Sequence, residues 1–176
     1  MTNFAQFICY KSTNLFQQGV ILMNEYEINE DTLALISLDD KTKVFEKDKT
    51  FMVSKETNLI MEDSCQYFGS SLSGRQKGTE NLIGVSYKAP IIVEESNNII
   101  FFPTTSPRLK KCSWISLNNL ERYYTKNKKI VLEFKNKQKI MLNLSFGVID
   151  NQILRATRLE AVLRGRKVQK NFKNRQ

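Results

Sequence analysis

The sequence predicts one α+β domain, built from a mostly antiparallel β-sheet or small barrel that a C-terminal amphipathic helix closes. Residues 130–144 alternate apolar and polar side chains, residues 149–163 repeat apolar side chains every three or four positions, and several short apolar runs precede them. A chain of 176 residues fits a single domain. On the order of these elements alone, a pleckstrin-homology-like arrangement is one candidate.

The first strands lie between residues 32 and 53. Thr32 to Leu38 is an apolar run, and the residues 39–41 after it form a turn. Two shorter apolar segments follow at 44–45 and 51–53, separated by charged residues. The segment 58–65 is compatible with either a short helix or a strand.

The middle of the chain combines a glycine-rich segment with more strands. Residues 69–84 contain four of the seven glycines, and they predict a loop with room for one helical turn. The apolar runs 91–93 and 99–102 flank a polar stretch and predict a hairpin. Trp114 to Tyr124 forms a further strand region.

The clearest hairpin and the only evident long helix come last. Around the turn 135–138, two strands each place alternate residues on one face, which is the pattern of an antiparallel pair with one buried side: Ile130, Leu132 and Phe134, then Ile140, Leu142 and Leu144. The helix places its apolar residues on one side and leaves three arginines on its outer face: Arg155, Arg158 and Arg166.

The chain divides into an extension at residues 1–22, one domain at 23–165 and a basic tail at 166–176. The extension shows no period, whereas Met23 opens a segment that reads as a natural start. Gln18-Gly19-Val20 could be encoded by CAA-GGN-GTN, which is close to a bacterial ribosome-binding site at a suitable spacing before Met23. Translation from Met23 and a genuine short N-terminal arm therefore both remain open, and the intact mass of the native protein distinguishes them.

The composition argues against an enzyme. With no histidine there is no Ser-His or Cys-His pair and no imidazole base. Cys9, Cys65 and Cys112 are widely spaced, so they predict reduced thiols of a cytoplasmic protein rather than a zinc site. We expect no cofactor and no metal.

The charge is concentrated in the last 70 residues. Residues 107–176 hold 18 Lys and Arg against 4 Asp and Glu, a net charge of +14, while residues 1–106 carry −5. So basic a region usually binds a polyanion. A nucleic acid, an anionic membrane and an acidic protein are the candidate partners.

Two short segments offer cations for phosphate contact. In the segment 70–79, small residues with Arg75 and Lys77 suit phosphate binding, although a tight structural loop with solvated charges explains them equally well. In the segment 104–111, Arg108 stands beside Lys110 and Lys111. A loop-borne arginine suits the negative potential of a narrow A/T minor groove, but an exposed turn is the alternative.

The remaining cations lie at 126–139 and 155–175. For several of the lysines between 126 and 139, solubility of edge strands is the better explanation. In the second region we assign supporting DNA contacts to Arg164, Arg166 and Lys167. The apolar helix face is committed to the core rather than to a membrane, and no RNA-binding motif is present. Duplex DNA is therefore favoured, with an anionic-lipid-binding or protein-binding module as the alternative.

Several ordered blocks closely resemble the ComK family of competence transcription factors of Gram-positive bacteria. The resemblance covers roughly residues 24–164, most of the chain, and no block at 1–22 has a counterpart. The blocks are Asp63-Ser64-Cys65-Gln66-Tyr67-Phe68-Gly69-Ser70-Ser71 with its continuation to Thr79, Lys88-Ala89-Pro90-Ile91, Phe101-Phe102-Pro103-Thr104 with Ser106, and Cys112-Ser113-Trp114-Ile115-Ser116.

The resemblance implies a cytoplasmic, non-enzymatic activator of DNA-uptake genes. Such proteins bind paired A/T-rich boxes as dimers that form tetramers, bend the DNA and act with RNA polymerase. Some carry a longer tail for an adaptor of a Clp protease, and the short end 171–176 puts that link in doubt. A diverged paralogue with other target genes is also compatible with the resemblance.

Overall fold

The computed structural model describes residues 22–173, with side chains described to residue 169. The elements follow the order β1 Leu22–Met23, β2 Thr32–Leu38, β3 Lys41–Glu46, β4 Thr50–Val53, α1 Thr57–Tyr67, α2 Leu72–Ile83, β5 Ile91–Glu94, β6 Ile99–Pro103, β7 Trp114–Ser116, β8 Leu120–Lys126, β9 Lys129–Phe134, β10 Lys139–Leu142 and α3 Phe146–Lys173. Residues 1–21 and 174–176 lie outside this range. The predictions for the N-terminal extension, its start codon, Cys9 and the end of the tail therefore stay predictions.

Two open sheets form the body of the fold. One has seven strands in the order β1-β4-β3-β2-β7-β6-β5, and the other has three in the order β10-β9-β8. All pairs are antiparallel except β1 with β4. The predicted α+β class with a C-terminal helix is confirmed, and within the described residues neither sheet closes into the barrel left as an alternative.

Both faces of the seven-stranded sheet are buried, so the domain has two cores. The centre of β6 shows this directly, since Phe101 packs with α1 residues on one face and Phe102 with α3 residues on the other. The core on the α3 side of the sheet also contains the predicted inner faces of β9 and β10. Burial on both faces explains why the strand segments read as continuous apolar runs instead of alternating ones.

The prediction of a loop at residues 69–84 is wrong, because α2 occupies most of it. Ser71 is the N-cap, and its Oγ accepts a hydrogen bond from the Gly74 N–H at 3.0 Å. Gly84 ends the helix with a φ of 70°, a left-handed conformation that glycine adopts without strain. Two of the four glycines thus lie at or beyond the helix ends. The segment 58–65, for which the sequence was compatible with either a helix or a strand, belongs to helix α1.

Helix α3 is longer than the apolar pattern predicts. It continues through Gly165 to Lys173, so residues 166–173 of the basic tail are helical. Buried Gln152 fixes the helix to the large sheet, because its Nε2 donates to the carbonyl oxygens of Pro103 and Lys88. Among residues 22–173, no helix combines the length and apolar character needed to cross a bilayer.

Candidate nucleic-acid interface

The loop between β6 and β7, residues 104–113, is held in place at three of its carbonyl groups. Ser37 Oγ donates to the Lys110 carbonyl at 2.6 Å, Thr57 Oγ1 donates to the Cys112 carbonyl at 2.6 Å, and Asn58 Nδ2 donates to the Pro107 carbonyl. The first donor belongs to β2 and the other two to α1. We call this segment the 104–113 loop. Hydrogen bonds from β2 and α1 fix the position of its backbone.

The 104–113 loop also bonds to itself. The Leu109 N–H donates to the Ser106 carbonyl at 3.0 Å, and the Cys112 N–H donates to the Leu109 carbonyl at 3.0 Å. These are successive tight turns, and they expose the stretch from 108 to 111 to solvent. A short fixed loop of this kind presents its side chains at defined positions.

Three predicted DNA contacts share this exposed stretch. Arg108 and Lys111 make no ion pair or side-chain hydrogen bond with any residue that the structure describes. Lys110 bonds Glu56 Oε1 at 2.7 Å while its side chain remains 74% exposed. The hydrogen bond and charge of Glu56 raise the pKa of Lys110, which stays cationic. The loop therefore offers two unneutralised cations and a third with one carboxylate partner.

Arg75 lies in a different environment from the one the sequence suggested. It belongs to α2 instead of a phosphate-binding loop, and its side chain is only 14% exposed. Its guanidinium pairs with Glu95 at 3.2 Å and donates to the Phe68 carbonyl at 3.4 Å. These contacts join α2 to the β5–β6 turn and to the C-terminal end of α1. Lys77, two residues further along α2, is exposed and pairs with Glu80 at 2.7 Å.

The three predicted DNA contacts on α3 also differ in whether they have a partner. Lys167 Nζ donates to the Glu95 carbonyl at 2.6 Å and to Asn98 Oδ1 at 3.0 Å, which ties it to the β5–β6 turn. Arg164 pairs with Glu160 on its own helix at 3.1 Å. Arg166 is exposed and has no partner among the described side chains.

The eight predicted residues form separate groups instead of one patch. The 104–113 loop follows the C-terminal end of β6, whereas Arg75 and Lys167 meet at Glu95, before its N-terminal end. A five-residue strand spans roughly 16 Å, so the two groups lie at opposite ends of the large sheet.

The β5–β6 turn has its own acidic anchor, Glu94. Its carboxylate accepts hydrogen bonds from the N–H groups of Ser96 and Asn97. Burial pushes the pKa of Glu94 upward, but these bonds and the charge of Lys167 outweigh it and hold the pKa below its usual value. The ionised carboxylate therefore stabilises the turn.

Acidification is expected to remove this stabilisation. Because the pKa of Glu94 is lower in the folded than in the unfolded chain, its contribution is complete above the unfolded pKa and is lost as the pH falls through the folded one. Between pH 6 and pH 3, the free energy of unfolding of Glu94→Gln should fall less steeply than that of the wild type. Denaturant unfolding at each pH measures it, with exposed Glu30→Gln as the control. Equal slopes for wild type and Glu94→Gln would contradict the assignment.

None of the eight predicted DNA contacts lies on the outer face of the small sheet, yet this face is concave and basic. It encloses about 730 Å³, and its lysines are Lys126, Lys129, Lys137 and Lys139. Lys126, Lys129 and Lys139 lie on one face because alternate residues of a strand point the same way, and Lys137 joins them from the β9–β10 turn. That periodicity was visible in the sequence. The curvature that gathers the lysines was not.

The two cysteines that the structure describes, Cys65 and Cys112, are buried. Burial raises the pKa of Cys65 to about 11 and that of Cys112 to about 12, so neither thiol ionises near neutral pH. Residues 22–173 contain no cluster of three metal-ligating side chains.

Comparison with known proteins gives two matches. Residues 23–168 match the family model described as ComK protein. The chain is 34% identical over 149 residues to the competence transcription factor of Bacillus subtilis (strain 168), covering 82% of this chain and 78% of that protein. No solved structure matches.

Proposed function

This chain belongs to the ComK family, and from that premise we propose that it is a competence transcription factor, acting by binding duplex DNA and not by catalysis. We place it in the cytoplasm. In this proposal it binds A/T-rich boxes largely through the minor groove, bends them, and activates transcription with RNA polymerase. Self-association into homodimers or tetramers belongs to the same proposal.

The 104–113 loop is the observation that supports a DNA contact most directly. Its backbone is fixed by Ser37, Thr57 and Asn58, so little conformational entropy is lost when the loop binds. At its exposed end Arg108 and Lys111 have no ion-pair partner among residues 22–173. A rigid loop with unneutralised cations suits a phosphate-lined groove.

The chemistry of the two residue types assigns their roles. A narrow A/T-rich minor groove has an enhanced negative potential that attracts an inserted arginine. Arg108 is therefore proposed to enter the groove, with Lys110 and Lys111 on the flanking phosphates. Lys77, Arg164 and Arg166 are exposed enough to bind phosphates as well. Arg75 and Lys167 would first have to leave Glu95, so we rank them lower.

Arg108→Ala is expected to weaken binding to an A/T-rich duplex by about 1–3 kcal/mol and to reduce the preference over a G/C-rich duplex. The alanine removes the group proposed to sense groove width. Lys110→Ala should weaken both duplexes alike, because phosphates carry no sequence information. Fluorescence anisotropy with both duplexes over a range of salt concentrations measures these effects.

Arg158→Ala is the matched control, since Arg158 is an exposed arginine on α3 without a partner among the described residues. It removes the same charge far along the chain from the loop and should keep the A/T preference. The groove assignment fails if Arg108→Ala and Arg158→Ala show the same A/T preference. The function itself fails if folded wild-type protein binds neither duplex at low salt.

A further inference from the structure

The outer face of the β8–β9–β10 sheet is a trough bordered by hairpin turns. Lys126 and Lys129 line it near the β8–β9 turn, and Lys137 and Lys139 line it near the β9–β10 turn. Val131 in the middle strand is buried beneath these side chains. Strand β9 has six residues, so the trough is about 20 Å long.

The acidic groups near the trough are already neutralised. Glu133 pairs with Arg122 at 3.0 Å and with Lys139 at 3.3 Å, and Glu121 pairs with Lys137 at 2.7 Å. Lys126 and Lys129 have no ion pair with any residue that the structure describes. One end of the trough therefore carries uncompensated positive charge.

At the end of the trough near the β8–β9 turn, the local structure is unfavourable for the protein without a ligand. Lys126 and Lys129 are direct cross-strand partners, and like charges in this arrangement repel. The two-residue turn between them places Asn127 at a φ of 50° and Lys128 at a φ of 59°. Two-residue hairpin turns with positive φ at both positions favour glycine at the second one, which here is a lysine. Residues that break local rules without an internal compensation often mark a binding site.

We propose that this trough is a second DNA contact, which binds the sugar–phosphate backbone of the duplex without reading its sequence. The proposal rests on the DNA-binding function proposed above and adds a surface to it. Along one strand of B-DNA, successive phosphates advance about 3.4 Å, so a 20 Å trough covers about six of them. A phosphate between Lys126 and Lys129 relieves their mutual repulsion, which explains why the pair is tolerated.

Lys126→Glu tests the trough because it separates binding from stability. The change turns a like-charge cross-strand pair into an opposite-charge pair, so the melting temperature should be unchanged or higher. DNA affinity should fall roughly tenfold for A/T-rich and G/C-rich duplexes alike, leaving the preference intact. Lys135→Glu is the control, since Lys135 is exposed on the β9–β10 turn and does not line the trough.

A double variant, Lys126→Ala/Lys129→Ala, provides a second measurement. Its plot of log affinity against log salt should lose a slope of about 0.9 for each lysine that contacts a phosphate. An unchanged slope, or a Lys126→Glu affinity equal to that of Lys135→Glu, overturns the trough while leaving the Arg108 result intact. A changed A/T preference in Lys126→Glu overturns it as well, because the contact would then read sequence. Failure of the wild type to bind any duplex instead removes the underlying function.

Discussion

Replacement of Trp114 by alanine is expected to lower the free energy of unfolding by about 3–5 kcal/mol. Trp114 is fully buried in the core between α1 and the large sheet, and its indole Nε1 donates to Asn58 Oδ1 at 2.9 Å. Alanine leaves a large cavity and removes the donor for a side chain that also bonds Pro107 in the 104–113 loop. Urea unfolding measures the loss.

Trp114→Phe separates the two contributions. Phenylalanine retains most of the buried ring but has no N–H, so its destabilisation should be clearly smaller than that of alanine. If both variants unfold at the same urea concentration as wild type, the burial of Trp114 does not contribute the stability expected of it. At temperatures where Trp114→Phe stays folded, a weaker A/T preference would show that Asn58 transmits the change to the loop.

Gln152→Leu is expected to destabilise the protein by about 2–4 kcal/mol although it adds apolar surface. The side chain volume is nearly kept, but the carbonyl oxygens of Pro103 and Lys88 lose their buried donor. An unmet buried acceptor costs more than an average hydrogen bond contributes. Thermal unfolding by circular dichroism measures the effect.

The neighbouring residue supplies the control for this substitution. Asn151 is exposed on the same turn of α3, and Asn151→Leu should change stability by no more than about 0.5 kcal/mol. A Gln152→Leu protein as stable as Asn151→Leu would mean that water or backbone movement satisfies both carbonyl groups. Gln152→Glu, which lacks the amide donor and buries a carboxylate against the same two carbonyl oxygens, should be at least as destabilising as the leucine variant.

The elements predicted best are those with one buried face. The β9–β10 hairpin and α3 each place apolar residues at a single regular spacing, and the structure contains both. The large sheet gave weaker signals, because burial on both faces removes the alternation that reveals a strand's register. Its strand segments were predicted except for β1, but their order, with β2 between β3 and β7, depends on contacts that a sequence pattern does not encode.

Helix α2 was not predicted because all four glycines of residues 69–84 were taken as indicators of a loop. Gly69 and Gly84 have positive φ values outside the helix, while Gly74 and Gly78 lie inside it. Glycine in a helix interior costs only about 1 kcal/mol relative to alanine, which capping by Ser71 and packing against α3 offset. Composition alone does not distinguish these two uses of glycine.

The candidate site was predictable only where it depends on local sequence. Arg108 was expected on an exposed loop, and the structure places it on one whose turns are hydrogen-bonded. The partner of Arg75, by contrast, is Glu95, twenty residues away and joined to it only by the fold. The trough lysines were attributed to solubility because neither the curvature of the small sheet nor the pairing of its acids is visible in the sequence.

The burial of β6 on both faces affects how its register with the neighbouring strands is fixed. Its run Ile99-Ile100-Phe101-Phe102 offers nearly the same side chains to either core, so a slip of one residue would exchange like for like. Polar groups at the two ends must then hold the strand in place: the Ile100 N–H bonds Asn118 Oδ1, and the Pro103 carbonyl bonds Gln152. Arg108 follows β6 in the 104–113 loop. These hydrogen bonds therefore help to determine which side chain lies on the exposed stretch of that loop.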